Sequence, residues 1–240
     1  MDALTIKTVF TITLAGHTFP ITETVIVSWV VMLILIAGSI VLTLKLREVP
    51  SGPQVFLETA VDFLNNFAKD YFGRFAKFLG PYMGTLFLFL LLANLLPVLS
   101  PVEFKFLGHA FTPPFAIRPP TKDINVTAAL ALISILLVLI CGFAARGVPG
   151  WFKNLLSPVP VMLPFNIMDY GTRLLSLSLR LFGNMLGGLV LMTMIEGILP
   201  VGLPPVLSLY FDFFDGIMQA GIFVFLTTIY ISEAVKIETE

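Results

Sequence analysis

Between Asn166 and Leu199 the chain runs without a proline, and the middle of that run reads Ser176-Leu177-Ser178-Leu179-Arg180-Leu181-Phe182-Gly183-Asn184-Met185. An arginine at the centre of a membrane helix costs about 2.5 to 3.5 kcal/mol on insertion scales, so such residues face protein or water rather than lipid. Arginine also keeps its proton in essentially any protein setting. Arg180 therefore supplies a fixed positive charge, which suits an ion path better than acid–base catalysis. A run of more than thirty residues at 1.5 Å per residue measures roughly 45 to 50 Å, against about 30 Å of hydrocarbon. It must tilt strongly or break. Val206 to Lys236 is a second run of this kind, and Gly197, Pro200, Gly202, Pro204 and Pro205 mark the turn between the two. The pattern predicts two long, slanted helices paired as a hairpin, 166–199 and 206–236.

Working outward, the whole 240-residue chain is 57% hydrophobic and 12% charged, with a mean hydropathy of +0.96, far from the makeup of a soluble domain. It reads as an all-α integral membrane protein. A net charge of -1 with scattered basic residues excludes a broad nucleic-acid surface. Cys141 is the only cysteine, so no intrachain disulfide can form and no thiolate cluster can assemble; it reads as packing. His17 and His109 both fall in extramembrane segments, leaving no paired histidines for a metal or haem within the membrane. No GxxxxGK[ST] loop occurs, so nucleotide chemistry is not expected here, nor any metal or other cofactor.

Thr24 to Leu44 is an uncharged span closed by Lys45 and Arg47 before Pro50 and Pro53. The polar segment 1–23 before it lacks the basic start and short apolar core of a signal peptide, so this first helix is expected to be retained. Residues 54–72 set Phe56, Ala60, Phe63, Leu64, Phe67 and Tyr71 opposite Glu58, Asp62, Asn65, Asn66 and Lys69, the pattern of an amphipathic helix at the membrane interface. Two further spans, 82–99 and 124–145, flank a proline-rich loop. Asn94 and Pro97 lie in the first of them, where an amide and a missing donor usually serve packing or a kink. Five crossings and one interfacial helix form a single membrane domain, 1–240. Lys45, Arg47, Lys69, Arg74, Lys77, Arg146 and Lys153 share one side, which marks it as cytoplasmic and places the N-terminus outside and the C-terminus inside.

Ser176, Arg180, Asn184 and Gly187 or Gly188 recur at spacings of three and four, stacking small and polar residues on one face. Such a face admits another helix closely and suits a protein partner. The alternative is an intrachain pair in which Asp212 or Asp215 holds Arg180. Glu196 falls near one membrane face, either as a cation collector or as a solvated helix-end carboxylate. Asp212, Asp215 and Gln219 share a face of the second long helix; acids one turn apart in apolar surroundings are candidate relays. Asp169 and Arg173, four apart, read as a local ion pair.

The stretch Ser176 to Met185 resembles the signature of subunit a of F-type ATP synthases. Gln219-Ala220-Gly221-Ile222-Phe223-Val224-Phe225-Leu226-Thr227 is similar to that family's second signature, Asp123-Ile124-Asn125-Val126-Thr127 to a third, and Asn94-Leu95-Leu96-Pro97 precedes them in the expected order. The resemblance implies that Arg180 faces a rotating ring of c subunits, with Gln219 on the adjoining helix, Asn184 along the same contact, Asp212 in the ion-access path and Ser176 beside it. It further implies two offset half-channels for H+ or Na+, peripheral-stalk b subunits and the lipid bilayer as partners, and a bacterial inner membrane as the location. Two departures stand out. Some relatives carry an acid where this chain has Leu189, a role Glu196 can inherit from seven residues away on nearly the same face. Many have Lys-Pro where it has Arg173-Leu174. The rival class is a cation-coupled secondary transporter, which should contain a solute cavity and inverted repeats; no repeat is visible in the sequence.

Overall fold

The computed structural model describes residues 8–14, 17–44, 46, 52–96, 104–106, 109–111, 119–156, 159–198, 207 and 209–235. Five described segments are long and apolar enough to cross a membrane: Glu23–Thr43, Gln54–Leu95, Ile124–Lys153, Pro160–Ile195 and Phe213–Val235. The protein is thus a helical membrane protein, with two short β-hairpins that the sequence did not lead us to expect. The chain divides into two compact units. One comprises Met1–Thr43, Leu88–Thr127 and Leu181–Ala220; the other comprises Leu44–Phe87, Ala128–Arg180 and Gly221–Glu240.

In the first unit, β1 (Thr8–Leu14) pairs antiparallel with β2 (His17–Thr22), Leu14 opposite His17 and Phe10 opposite Ile21. Threonine and other β-branched residues dominate β1 and make up half of β2, which favours the pleated conformation over helix. β2 leads directly into α1 (Glu23–Thr43), whose buried residues are Thr24 and Val31. Leu33, Ile36 and Val41 on the same helix are exposed, as expected of a surface covered by lipid tails. A small hairpin of β3 (Phe104–Phe106) and β4 (His109–Phe111) occupies the proline-rich loop. The start of α4 (Ile124–Leu155) is fixed by Asp123. Its Oδ1 accepts from the Asn125 backbone N–H at 2.9 Å, an N-cap bond, and its Oδ2 accepts from Thr24 Oγ1 at 2.9 Å. One buried carboxylate therefore caps α4 and ties it to the first turn of α1.

In the second unit, α2 (Pro53–Phe72) ends at Gly73, whose φ of 51° departs from the right-handed α-helix, and a 3₁₀ turn over Gly73–Phe75 leads into α3 (Ala76–Leu95). Pro53 sits at the helix start, where its missing N–H has no intrahelical partner to lose. The α2 and α3 helices pack closely because α3 presents glycine. A Cβ at Gly80 would lie 3.2 Å from that of Ala68, and one at Gly84 would lie 3.1 Å from Leu64 Cδ1. This contact takes Leu64 and Ala68 of α2, and leaves Phe56 and Phe63 exposed. α3 begins at Ala76, six residues before the expected 82, and passes through Pro81, forgoing one backbone bond there.

α4 follows the expected span as far as Arg146. Gly147 then adopts φ 70°, Pro149 follows, and helix resumes to Leu155. The returning leg sets Trp151 against Phe143, rings tilted by 38° with centroids 4.5 Å apart, over Gly142, where a Cβ would be 3.3 Å from the indole. α5 (Leu163–Ile198) has 36 residues, roughly 54 Å at the α-helical rise, so its length agrees with the sequence reading. The second long helix does not form as one continuous α-helix. Leu209–Asp215 is π-helical and α6 (Gly216–Val235) takes over at the glycine; the rest of the expected turn, 199–206, lies outside the described residues, as does Lys236.

Candidate functional site

Along α5 the residues around Arg180 separate cleanly by exposure. Leu177 and Leu181 are fully buried, whereas Leu179, Arg180, Gly183, Asn184 and Gly187 are exposed and Ser176 is half-buried. The small-and-polar stripe is thus an outward strip, continuous over two turns. Among the described residues Arg180 forms no salt bridge, and the intrachain ion pair weighed from the sequence is not formed with any described carboxylate. Asp169 and Arg173 do pair as expected, at 2.6 Å. Glu233 of α6 joins them at 2.9 Å, and the guanidinium lies 4.8 Å above the Tyr230 ring.

Within the first unit, Asn184 donates its Nδ2–H to Gln219 Oε1, joining α5 to α6. Gln219 is 1% exposed, and its Nε2 has no partner among the described residues. A buried amide with one end satisfied and the other open is costly, and such groups mark places where water or another polar group completes the site. Beside this bond lies a cavity of about 320 Å³. Gly183, Gly187 and Gly188 form its floor on α5, Asn184 contributes an amide, and Tyr210, Phe214 and Asp215 close it from the π-helical segment. Asp215 is the only charged residue among the described residues lining it. Three glycines in six positions remove the side chains that would otherwise fill the space.

The ATP synthase A chain family matches this chain over residues 25–232. The chain belongs to that family. As an ATP synthase A chain it is a component of the synthase and has no catalytic chemistry by itself. It is 37% identical over 217 residues to the protein of Propionigenium modestum described as "ATP synthase subunit a, sodium ion specific", a match covering 90% of this chain and 75% of that one.

Of the sequence-derived candidates in this A chain, the structure brings Asn184, Gln219 and Asp215 into one neighbourhood. Asp212 lies in the π-helical segment and Glu196 in the last turn of α5; their side chains are outside what the structure describes. Two contributors were not singled out for the site from sequence. Tyr210 lines the cavity. Asn94, read as a packing residue, is buried and donates its Nδ2–H to the Gly216 carbonyl at 3.3 Å. An amide in an otherwise apolar span was the available signal for Asn94; nothing in the sequence pointed to Tyr210.

Proposed function

We propose that this chain is the ion-translocating stator subunit of an F-type ATP synthase, forming two half-channels against a ring of c subunits. Its single membrane domain couples H+ or Na+ flow to ATP synthesis or hydrolysis. The observations that carry the reading are the exposure of Arg180, Gly183, Asn184 and Gly187 along α5 and, within the first unit, the cavity bearing Asp215. Lipid tails cannot solvate a guanidinium, so the strip requires a partner bearing complementary charge.

Arg180 separates the half-channels. Its charge attracts an ionised carboxylate on the passing ring and disfavours an additional cation, so ions cross only by travelling around with the ring. Asp212 and Glu196 serve the access paths, with Asp215, Asn184, Gln219 and Ser176 beside them. Each elementary charge moved through 100 mV releases about 2.3 kcal/mol, so several are needed per ATP. α5 exceeds the hydrocarbon thickness and lies tilted, and the exposed Phe56 and Phe63 of α2 rest at the lipid interface. Peripheral-stalk b subunits complete the stator. The N-terminus lies outside and the C-terminus in the cytoplasm of a bacterial inner membrane.

The test is Arg180→Ala in the assembled complex. ATP synthesis and ATP-driven pumping should vanish; normal synthesis would refute the assignment. Copurification with a ring of small hairpin subunits separates this reading from a secondary transporter. Because the Propionigenium relative is described as sodium specific, ATP-driven uptake of radiolabelled Na+ into vesicles, compared with acidification, decides the ion.

A further inference from the structure

We propose that Asn94 is a positioning residue for the ion path, gripping the junction where the π-helical segment gives way to α6. This rests on the function proposed above, and deepens it. The junction is Gly216, with Asp215 of the cavity immediately before it and Gln219 one turn after it. Asn94 Nδ2 donates to the Gly216 carbonyl at 3.3 Å, while Asn94 Oδ1 accepts from Thr121 Oγ1 at 2.8 Å. Both ends of the amide are therefore engaged, so its orientation is fixed. Asn94 is 2% exposed and Thr121 0%, and Gly216 is buried against them.

The fit leaves no slack. A Cβ at position 216 would stand 3.1 Å from Asn94 Cβ and 3.6 Å from its carbonyl oxygen, so glycine allows this close approach and a side chain there would push Asn94 back by a few tenths of an ångström. The changeover of helical form also matters to the cavity. The π-helix bonds each residue to its fifth neighbour and turns less per residue than an α-helix, so Tyr210 and Asp215 lie nearer one face than an α-helical path through 209–215 would set them. Tyr210 and Asp215 both line the cavity, and the Tyr210 and Phe214 rings stack with centroids 5.3 Å apart. By holding the carbonyl next to Asp215, Asn94 keeps the carboxylate in the cavity and Gln219 opposite Asn184, without touching the ion.

The experiment uses the whole synthase in native membranes, with Cys141→Ser, cysteines at the cavity-lining Leu191 and Phe214, and a protease site engineered within 201–206. A bifunctional thiol reagent bridges the pair, and the uncleaved fraction on a non-reducing gel reports the cavity's geometry. Passive ion conduction through membranes stripped of the catalytic sector is measured in parallel without the cysteine pair. At equal assembly, Asn94→Ala should lower the cross-linking rate at least threefold and conduction at least fivefold. Thr121→Ser, which retains the hydroxyl, should leave both unchanged. Gly216→Ala and Thr121→Val disturb the same grip more mildly, and should lower both in the same direction. Unaltered cross-linking and conduction in any assembled variant that breaks the grip overturns the proposal. Failure of all three to assemble beside a normal Thr121→Ser also overturns it, in favour of a purely structural role. Normal conduction in Asp215→Asn would instead remove the ion-path reading of the cavity, leaving the cross-link as an independent test of the grip.

Discussion

Gln219 illustrates how much a single buried amide constrains this protein. Its Oε1 is satisfied by Asn184, so truncating the donor strands a buried acceptor, at a cost of about 1–3 kcal/mol. Asn184→Ala should therefore lower the melting temperature of the detergent-solubilised complex, and Asn184→Ser, with a hydroxyl too short to span the gap, should recover little of the loss. Replacing both residues by leucine removes donor and acceptor together, and should cost less stability than Asn184→Ala while still blocking ion flow. A melting point in Asn184→Ala equal to that of the parent would show that water or another group had replaced the bond. At this scale the sequence was informative about residue type and spacing: Arg180, Asn184 and Gln219 all stood out as polar groups in apolar runs. It could not tell which side of α5 is buried, because leucines occupy both sides. Leu177 and Leu181 turn inward, whereas Leu175 and Leu179 stay exposed.

The helices obey the same logic of close approach. α2 meets α3 at Gly80 and Gly84, where the neighbouring side chains already lie near the contact limit. Gly84→Leu should overpack this hairpin by about 1–3 kcal/mol, read as a lower melting temperature, with Gly84→Ala milder. The α5–α6 clamp is of a different kind. Arg173 is only 17% exposed, but Asp169 and Glu233 are 50% and 62% exposed, so solvent screens each pair. A double-mutant cycle between Arg173 and Glu233 should return about 0.2–1 kcal/mol and shrink in high salt; a coupling unchanged by salt would contradict this. Helix boundaries were legible wherever hydropathy or a terminal glycine or proline set them, as at α1, α2 and the first leg of α4. The π-helical stretch was not, and the contact at its junction with α6 is distant in sequence: Asn94 donates to the Gly216 carbonyl across 122 positions. The β1–β2 hairpin was missed for the opposite reason, its alternation of threonine with apolar residues being too short to weigh against the long spans beside it.

For the whole molecule, the decisive property is that the charge most costly to place in a membrane is left exposed on α5, one turn from Asn184. A helix surface of that composition is unstable against lipid, and in the function proposed above the c-ring covers it. That argument separates two consequences of removing the charge. If Arg180 served only to bind the ring, Arg180→Ala would weaken assembly and every downstream activity would fall together. If it bars the direct route between half-channels, the variant should assemble, lose coupled synthesis, and conduct ions passively faster than the parent once the catalytic sector is stripped. Arg180→Lys retains a charge but loses the planar, permanently protonated guanidinium, so it should leak less than alanine while still failing to support synthesis. Comparing quenching of a pH-sensitive dye in stripped vesicles of the three proteins, at matched c-ring content, tests this directly. Equal leak rates in Arg180→Ala and the parent would leave binding, rather than separation, as the work of the arginine.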